Sequence, residues 1–421
     1  MSSRSEHNIV LFESERVDQL YPFSVLHCAW ELRTGPFMIY EKYLNILENS
    51  GIGFLGRERH VASFIARTGL SSGINVSGNF LFIDGTLFPT PDLITKLFQI
   101  ISQNNIENGI LFENSSGERF GLYLNNKAGI EYYNSNNCLN LYDDKFDSLT
   151  VVNIDNAKTI DYLWKALDLV DDSIDQDLKY LKKLKKFSDN DYTNVYGVDK
   201  EHIYIGENVN IAPGVVIDAS AGPVIIDDNS KIMPQSTILG PVYIGKNNTV
   251  KIGAKIYEHN VFGHWCKIGG EIENTIIQSY SNKQHEGFLG HSYLCEWVNF
   301  GADTNCSDLK NTYAEISVNL NGETVNTGRM FLGVLCGDHT KTGINSMFTT
   351  GTIAGICGIL VREWFLPNFI SSYSWGGKKD SPQYKFNKAV ETAKIVMARR
   401  GKELLPEEEI LLKQEYERVT K

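Results

Sequence analysis

An apolar residue returns at every sixth position over a long stretch of the second half of the chain. One series in register reads Ile226, Ile232, Ile238, Ile244, Val250, Ile256, Phe262 and Ile268, and an earlier one reads Ile205, Ile211 and Ile217. A period of six fits neither an α-helix nor an ordinary strand. It is typical of a solenoid whose three-sided coils place one inward residue on each face. Coincidental spacing in a β-rich region is the alternative, and eight positions in register argue against it. We therefore predict a left-handed parallel β-helix.

Composition limits the functions that the rest of the chain can have. Its 421 residues are enough for two or three domains. A net charge of −11 argues against general nucleic-acid binding, although a local basic pocket could still bind an anionic substrate. The seven cysteines form no Cys-x-x-Cys pair, so neither a zinc site nor a disulfide framework is indicated. Reduced thiols are typical of a cytoplasmic protein, and that is the expected location.

Two segments bear on secretion and on membranes. The N-terminus, MSSRSEHNIVLF, lacks the apolar core of a secretion signal. Residues 342–361 carry no charge and include Gly351-x-x-x-Gly355, which would allow a membrane span. Four threonines and four glycines in that stretch make a poor span, and the repeat explains the glycines better. We expect no membrane partner.

Pattern changes divide the chain into four parts. Apolar runs alternate with helical periodicity up to residue 155, which predicts an α/β domain over residues 1–155. Its expected elements are strands at 8–12 and 79–83 and helices at 37–47 and 91–101. Apolar residues then step by three or four, which predicts a helical connecting arm over residues 156–200. The β-helix is expected over residues 201–365, and a helical tail over residues 366–421.

The hexapeptide step breaks down between residues 274 and 330, where polar residues are dense. His285 is followed by Glu286, and a histidine beside a carboxylate can act as a general base. A hydrogen-bonded structural histidine is the alternative. A second cluster, from Gly337 to Asn345, contains His339 and Lys341 and poses the same question. So many polar groups on a solenoid favour a cleft.

The segment Lys283-Gln-His-Glu-Gly-Phe-Leu-Gly-His-Ser-Tyr-Leu resembles the Lys-Ala-Gly-His-Leu-x-Tyr-Leu-Gly motif of bifunctional GlmU-type enzymes. These join a sugar-1-phosphate uridylyltransferase to a β-helical glucosamine-1-phosphate acetyltransferase. The chain is more similar to the divergent GlmU-like sugar nucleotidyltransferases of Bacteroidetes-type bacteria. The shared motifs lie at residues 287–294, 306–311, 337–345, 374–377 and 393–400.

This resemblance assigns roles to individual residues. It implies that His285 is the catalytic base, with Glu286 beside it, and that Asn299 binds the acceptor sugar. Phe288 stands where the family has a tyrosine, which leaves the identity of the sugar phosphate open. Phosphate contacts are expected from cationic side chains, and further substrate contacts from the polar residues around them. The whole predicted substrate set is Lys283, Phe288, His291, Tyr293, Asn299, Asp308, Lys310, Arg329, His339, Lys341 and Asn345.

The N-terminal half departs from an ordinary nucleotidyltransferase. That family opens with Gly-x-Gly-Thr-Arg, whereas this chain has Phe12-Glu-Ser-Glu-Arg16. The divergent family has Leu-x-Pro-Phe-Thr-x-Thr-Arg-Pro-x-x-x-x-Arg-x-Gly, of which Arg33 and Gly35 are retained while Leu26-His27-Cys28 replaces Thr-Arg-Pro. The nucleotide contacts are expected from Arg16, Ser24, Arg33 and Gly35. Asp84 follows an apolar strand, where such enzymes bind Mg²⁺; a turn at Asp84-Gly85 is the alternative.

The expected function is that of a sugar-phosphate transferase of nucleotide-sugar biosynthesis. One half would couple a sugar 1-phosphate to a nucleoside triphosphate with Mg²⁺, and the other would acetylate an amino-sugar phosphate from acetyl-coenzyme A. The resemblance implies a homotrimer, with the acyl-donor cleft between neighbouring solenoids. Two alternatives stay open: an enzyme with one activity and a degenerate N-terminal domain, and a non-catalytic scaffold that binds sugar nucleotides.

Overall fold

The computed structural model of the protein describes residues 7–48, 51–70, 73–75, 77–103, 109–134, 138–378 and 382–421, and every structural statement below concerns those residues. Its N-terminal part contains a six-stranded sheet with the spatial order β2-β1-β3-β5-β4-β6. β5 is antiparallel to both of its neighbours, and the other pairs are parallel. The strands are β1 (His7–Phe12), β2 (Ile52–Leu55), β3 (Asn79–Asp84), β4 (Ile110–Asn114), β5 (Arg119–Leu124) and β6 (Thr150–Ile154).

Helices pack on this sheet and confirm the α/β class. The predicted helix at 37–47 is observed as α1, and the one at 91–101 as α3. Each exposes one side and buries the other, because its apolar residues recur at helical spacing. The α-helices of this part are α1 (Ile39–Ile46), α2 (Glu58–Thr68), α3 (Pro91–Gln103) and α4 (Asn126–Tyr133). Short 3-10 helices lie at Glu15–Leu20, Phe23–Val25, Ala29–Glu31 and Asp144–Phe146.

The helical arm is shorter than its periodicity predicts. A 3-10 helix, Leu163–Leu169, leads into helix α5, Val170–Leu178, and helical structure ends there. Residues Lys185–Lys186 then pair antiparallel with Ile203–Ile205 of the first coil. Five lysines lie among residues 179–186, and Leu181 and Leu184 pack against the core without forming a helix, so the leucine spacing alone does not specify one.

The second half of the chain forms the predicted β-helix, in which short strands stack into three parallel sheets. Ile232 pairs with Val250, eighteen residues further along, so one coil is three hexapeptides. Face 1 comprises 210–211, 231–232, 249–250, 267–268, 282–283, 341–342 and 359–360. Face 2 comprises 196–198, 216–218, 237–239, 255–256, 271–273, 288–290, 305–306 and 347–348. Face 3 comprises 203–205, 224–226, 242–244, 260–262, 276–277, 293–294, 335–336, 353–354 and 369–370.

The regular step is interrupted where the sequence pattern breaks. On face 1, Ile268 pairs with Lys283, so that coil is shorter than its predecessors. On face 2, Cys306 pairs with Phe348 because an insertion leaves the solenoid between them. The insertion contains a hairpin with strands Ser317–Leu320 and Glu323–Asn326, and its inner side chains join the core of the N-terminal domain.

Ring side chains stack at the corners between faces 3 and 1. Tyr280 and Trp297 are parallel at 4.2 Å between ring centroids, and Trp297 and His339 at 6.2 Å. All three residues have positive φ, a conformation that costs energy in residues other than glycine. Stacking between successive coils offsets part of that cost.

The N-terminal domain covers face 3. Side chains that point outward from this face belong to the same buried cluster as residues of the N-terminal sheet, and they include Ile225, Tyr243, Val261, Ile276 and Tyr293. Polar groups cross the same boundary: His27 Nε2 lies 2.9 Å from Asp338 Oδ1, and both side chains are buried. The two halves of the chain therefore share an apolar cluster, beside the separate core inside the solenoid.

Two helices close the chain, as predicted. α6 spans Phe386–Ala398 and α7 spans Pro406–Thr420. α7 packs against α2 and α6, so the C-terminus returns to the N-terminal domain. No helix among the described residues combines the length and the apolar character needed to cross a bilayer. The uncharged stretch 342–361 lies in the last coils of the β-helix.

Candidate active sites

A cleft opens at the carboxyl ends of β1 and β3, which are neighbouring parallel strands. Ligands commonly bind at this edge of an α/β sheet. The cleft unites two residues that the sequence selects separately, Arg16 and Asp84. The complete lining is Ser14, Glu15, Arg16, Asp84, Thr86, Glu118, Arg119, Asn140, Leu141, Tyr142, Thr159, Ile160 and Asp161.

Asp84 is the last residue of β3 and is held by the turn that follows. Its Oδ1 accepts hydrogen bonds from the Thr86 amide at 2.8 Å and the Thr86 hydroxyl at 2.7 Å. Burial raises the pKa of this carboxyl, while the Thr86 donors and the nearby Arg16 oppose the rise. A cation beside Asp84 would relieve the cost of its buried charge. The strand end and the turn are both present, so the two interpretations of Asp84 are compatible.

Carboxylates outnumber cations in this cleft. Glu15, Asp84, Glu118 and Asp161 face only two guanidinium groups, those of Arg16 and Arg119. Burial and the neighbouring Glu118 raise the pKa of Asp161. A triphosphate entering this cleft would meet net negative charge, so a divalent cation is needed to make its binding favourable.

The two arginines are positioned by one tyrosine. The guanidinium carbons of Arg16 and Arg119 each lie 5.2 Å from the centre of the Tyr142 ring. Arg16 also donates to the Tyr142 hydroxyl at 3.1 Å and to Glu118 at 3.4 Å. Its side chain remains 44% exposed, so it keeps N–H groups for a phosphate.

The other three predicted nucleotide contacts lie elsewhere. Arg33 is buried against face 3, where its guanidinium donates to the carbonyl oxygens of Gly35 and Pro36 and to Gln278. Gly35 packs so closely on α5 that a Cβ would lie 2.5 Å from Ser173 Cβ. Ser24 is also buried and lies outside the cleft. Arg33 thus serves the contact with the β-helix, Gly35 serves the packing of α5, and none of the three positions lines the cleft that holds Arg16 and Asp84.

On the β-helix, His285 lies at a corner between faces 1 and 2. Its side chain is exposed, and no hydrogen bond to its imidazole occurs within the described part of the chain. Glu286 was expected to assist it, but this carboxylate lies 3.2 Å from Lys255 Nζ. The predicted histidine–carboxylate pair is therefore not formed, because Glu286 turns toward the preceding coil.

Face 1 carries a polar row beside this corner. Asn282 pairs with Asn299, and Asn299 with Lys341, in the outward register of that face. Asn282 Nδ2 donates to Asn299 Oδ1 at 3.3 Å, and Lys341 Nζ donates to the His339 carbonyl at 2.7 Å. Burial lowers the pKa of Lys341. The structure thus brings together Asn299 and Lys341, two of the predicted substrate contacts.

His339 does not join this row. It is buried behind Trp297, and burial lowers the pKa of its imidazole to about 3. A ring that stays neutral and enclosed supports the corner stack. The sequence predicts that His339 contacts substrate, but its buried side chain is not accessible to a substrate in this structure.

His291 lies at the opposite end of strand 288–290 from His285. Its Nδ1 is 2.8 Å from Asp308 Oδ2, and its ring stacks on Phe331 at 5.1 Å. Phe288 lies on face 2 between the two histidines. His291, Asp308 and Phe288 therefore form one group, which is separated from His285 by the length of the strand.

Five other predicted contacts are spread over the molecule. Lys283 is buried and donates only to backbone carbonyls, and Tyr293 is sealed between the domains, where its hydroxyl accepts from the Arg33 amide at 3.2 Å. Arg329 binds Asp168 of the arm at 2.5 Å. Lys310 donates to the Glu315 carbonyl, and Asn345 is exposed at a later corner. Substrate cannot reach Lys283 or Tyr293 in this structure.

The sequence interpretation missed most of the N-terminal cleft. Arg119 begins β5 and Glu118 precedes it, while Asp161 follows β6 by several residues. The sequence does contain a signal for these cleft residues, because polar residues at the ends of neighbouring strands lie close together at one edge of the sheet. Within the described ranges, no three histidine, cysteine or acidic side chains are arranged to hold a metal by themselves. Substrate phosphates would have to complete the coordination of a metal at Asp84.

Comparisons with known proteins match both halves of the chain. A family model described as "Sugar nucleotidyl transferase" matches residues 9–186. The chain is 32% identical over 168 residues to the "Bifunctional sugar-1-phosphate nucleotidylyltransferase/acetyltransferase" of Sulfurisphaera tokodaii, which covers 38% of this chain and 41% of that protein. It is 26% identical over 332 residues to the "Bifunctional protein GlmU" of Methanococcus aeolicus, with 73% and 76% covered.

A third relative is the "Uncharacterized acetyltransferase YaiX" of Escherichia coli O6:K15:H31. Identity is 28% over 200 residues, which cover 47% of this chain and 79% of that protein. The chain thus spans less than half of the Sulfurisphaera protein and about three quarters of the other two. The resemblance to GlmU-type proteins is confirmed.

Proposed function

We propose that this chain, which resembles GlmU-type proteins, is a transferase that works in nucleotide-sugar biosynthesis through two separate sites. The β-helix would acetylate an amino-sugar phosphate from acetyl-coenzyme A. The N-terminal cleft would couple a sugar 1-phosphate to a nucleoside triphosphate. One observation carries the proposal: each half of the chain has its own accessible polar site, at His285 and at Arg16 and Asp84.

Acyl transfer needs a base and a positioned acceptor. The amine nitrogen of the acceptor attacks the thioester carbonyl, the C–N bond forms, and the C–S bond breaks. His285 accepts the proton that the amine loses, and the thiolate of coenzyme A leaves and is then protonated. The exposed imidazole can reach such an acceptor, while Asn299 and Lys341 would bind its hydroxyl and phosphate groups.

Nucleotidyl transfer needs charge neutralisation above all. An oxygen of the sugar phosphate attacks the α-phosphorus, the new P–O bond forms, and pyrophosphate leaves with the electron pair of the broken bond. Arg16 and Arg119 would bind phosphate oxygens. Asp84 would hold Mg²⁺, with Asp161 or Glu118 beside it, and the ion would supply the positive charge that the acidic cleft lacks.

A homotrimer is part of the proposal. The edge between faces 1 and 2, where His285 lies, exposes large apolar side chains, and Ile344 and Trp364 are 71% and 72% exposed. Patches of this kind on a protein surface usually mark an interface. A neighbouring copy at this edge would enclose His285 and complete a cleft for acetyl-coenzyme A.

A single activity is the second candidate, and a specific observation favours it. The N-terminal segment after β1 has no glycine-rich loop, and Arg33 is taken up by the domain interface. Only two arginines therefore remain to hold a triphosphate in the cleft. In this case the N-terminal domain would bind a sugar nucleotide without turnover.

A thermal-shift panel distinguishes these functions. A ligand that binds the native state raises the melting temperature, and the rise grows with the logarithm of the ligand concentration divided by Kd. The proposed function expects separate shifts with acetyl-coenzyme A and with a nucleoside triphosphate, the latter only when Mg²⁺ is present. A shift with acetyl-coenzyme A alone would favour the single activity. No shift with either would contradict both.

A further inference from the structure

Lys283 occupies a position that the repeat gives to an aliphatic side chain. Its Cα pairs with that of Ile268 on face 1, and Ile232, Val250 and Ile268 in the same register are fully buried inside the solenoid. Lys283 itself is 1% exposed. A lysine is almost never enclosed to this degree without a partner, because its ammonium loses its hydration.

The ammonium has a complete set of partners. Nζ donates to the backbone carbonyl oxygens of His285 at 2.6 Å, Gly269 at 3.2 Å and Glu286 at 3.3 Å. An ammonium has three N–H donors and no acceptor, so three carbonyls use its whole capacity. Lys283 therefore acts on backbone rather than on a ligand.

Two of these carbonyls belong to the corner that carries His285, and the third, that of Gly269, belongs to the corner of the preceding coil. The backbone is packed closely around Nζ: a Cβ added to Gly270 would lie 2.6 Å from the His285 carbonyl oxygen and 2.8 Å from Nζ. Gly270 and Gly287 both have positive φ, at 77° and 114°. A buried cation thus ties the backbone at His285 and Glu286 to the preceding coil.

We propose that Lys283 is a positioning residue for His285. Its ammonium fixes the backbone of the corner, and through it the place from which the imidazole meets the acceptor. A small displacement of a catalytic group lowers the reaction rate by a large factor, so loss of this restraint should lower the rate of acetyl transfer. The inference depends on the proposed acyl transfer.

The restraint is sensitive to alkaline pH. Burial lowers the pKa of Lys283 to about 8; the nearby Glu286 and Asp303 oppose this, and Lys255 adds to it. A neutral amine has two N–H groups, so one of the three carbonyls loses its donor. Activity is therefore expected to fall above about pH 8.

The free energy of unfolding is not expected to fall together with activity as the pH rises. The pKa of Lys283 is lower in the native state than the 10.5 of an ordinary lysine, so the native state binds fewer protons between these values. The contribution of this group to the free energy of unfolding then rises with pH over that window. A loss of activity above pH 8 without a loss of stability would separate local loosening from unfolding.

The test compares Lys283→Met with Lys231→Met, a change at an exposed lysine of the same face. For Lys283→Met we expect kcat of acetyl transfer to fall by about tenfold or more. The KM for acetyl-coenzyme A should change little, and the fall in activity above pH 8 should disappear. Lys231→Met should behave like wild type. A Lys283→Met protein with wild-type kcat and an unchanged pH profile would overturn the inference.

A second measurement needs neither activity nor a folded variant. Hydrogen exchange of the wild-type protein is followed from pH 7 to 9.5, corrected for the intrinsic pH dependence of exchange. Protection in the peptide 282–290 should decrease above pH 8, while that of the corner two coils earlier, 249–255, should not. Constant protection in 282–290 would also overturn the inference. Absence of acetyl transfer in wild type, by contrast, would refute the proposed function alone.

Discussion

Gly290 on face 2 has neighbours that leave no room for a side chain. A Cβ at this position would overlap Asp308 Oδ2 and lie 2.6 Å from Phe288 Cζ. The same Oδ2 accepts the bond from His291. One glycine therefore allows the carboxylate, the imidazole and the aromatic ring to meet.

We predict that Gly290→Ala breaks the His291–Asp308 pair. Asp308 must move to make room, and overpacking of this kind costs about 1–3 kcal/mol of stability. Urea unfolding measures the loss. Gly343→Ala is the matched control, since the nearest atom to its Cβ is at 3.4 Å and the effect should stay within about 0.5 kcal/mol. Equal stability of the two variants would count against the packing described here.

At the residue scale, the sequence predicts types of residue better than their surroundings. The sequence selects Arg16 as a nucleotide contact and Asp84 as a metal ligand, and the two residues share a cleft. Lys283 and Tyr293 have the same chemical character as true ligand contacts, yet they are buried. Nothing in a linear sequence tells an inward lysine from an outward one once the hexapeptide step has broken. Contacts with distant coils decide it.

Among the elements, the arm is held by a buried ion pair. Lys42 Nζ of α1 lies 2.5 Å from Asp177 Oδ2 of α5, and both side chains are enclosed. Asp177 also accepts from the Phe37 amide at 3.1 Å. The arm is thereby fixed to the N-terminal domain rather than extending as a free helix.

We predict that Lys42→Met destabilises the protein by about 3–5 kcal/mol, because an uncompensated buried carboxylate remains. Adding Asp177→Leu should restore more than half of the loss. Lys158→Met is the control: it removes an exposed pair with Asp172 and should cost less than about 1 kcal/mol. Urea unfolding of all three variants provides the comparison. A double variant no more stable than Lys42→Met would refute the role of the pair.

At the scale of elements, the sequence of each solenoid face indicates whether the outer side of that face is exposed or covered. On face 1 a polar residue precedes each inward one, as in Lys231-Ile232 and Lys267-Ile268, which indicates an exposed outer side. On face 3 the strand Val224–Ile226 is apolar throughout, and the N-terminal domain covers it. An apolar residue at the outward position of a strand is thus a sequence signal that a face is covered. The end of the arm helix was not predictable from leucine spacing.

Across the whole molecule, one buried cation links the two domains. His27 lies between Asp338 of the β-helix and Glu31 of its own domain. Burial alone would lower the pKa of His27, but the two carboxylates outweigh it and raise the pKa to about 10. The imidazolium is therefore the expected form at neutral pH. Arg67 binds Glu31 at 2.7 Å and extends the network.

The contribution of His27 to stability should depend on pH. Its pKa is higher in the folded state than the ordinary 6.5, so the stabilisation is fully present below pH 6.5 and is lost as pH rises through about 10. We predict that His27→Gln is more destabilising at pH 6 than at pH 10, as measured by urea unfolding. Asp338→Asn should reduce the same pH dependence. A difference between wild type and His27→Gln that is constant with pH would contradict this assignment.

The order of domains was predictable from repeats and from strand–helix alternation, whereas their contact was not. The sequence separates an α/β part from a β-helix cleanly. The docking of one on face 3 depends on matched surfaces, such as Arg33 against Gln278 and Tyr293. These residues are far apart in the chain, and no local pattern joins them. Arg33 was consequently interpreted as a nucleotide contact.

The most direct measurement of the central claim is a pair of steady-state assays on two variants. Acetyl transfer from acetyl-coenzyme A and pyrophosphate release from a nucleoside triphosphate are measured for wild type, His285→Gln and Asp84→Asn. Two independent sites predict that His285→Gln abolishes only acetyl transfer and that Asp84→Asn abolishes only pyrophosphate release. Full acetyl transfer by His285→Gln, or loss of both reactions in either folded variant, would contradict the account.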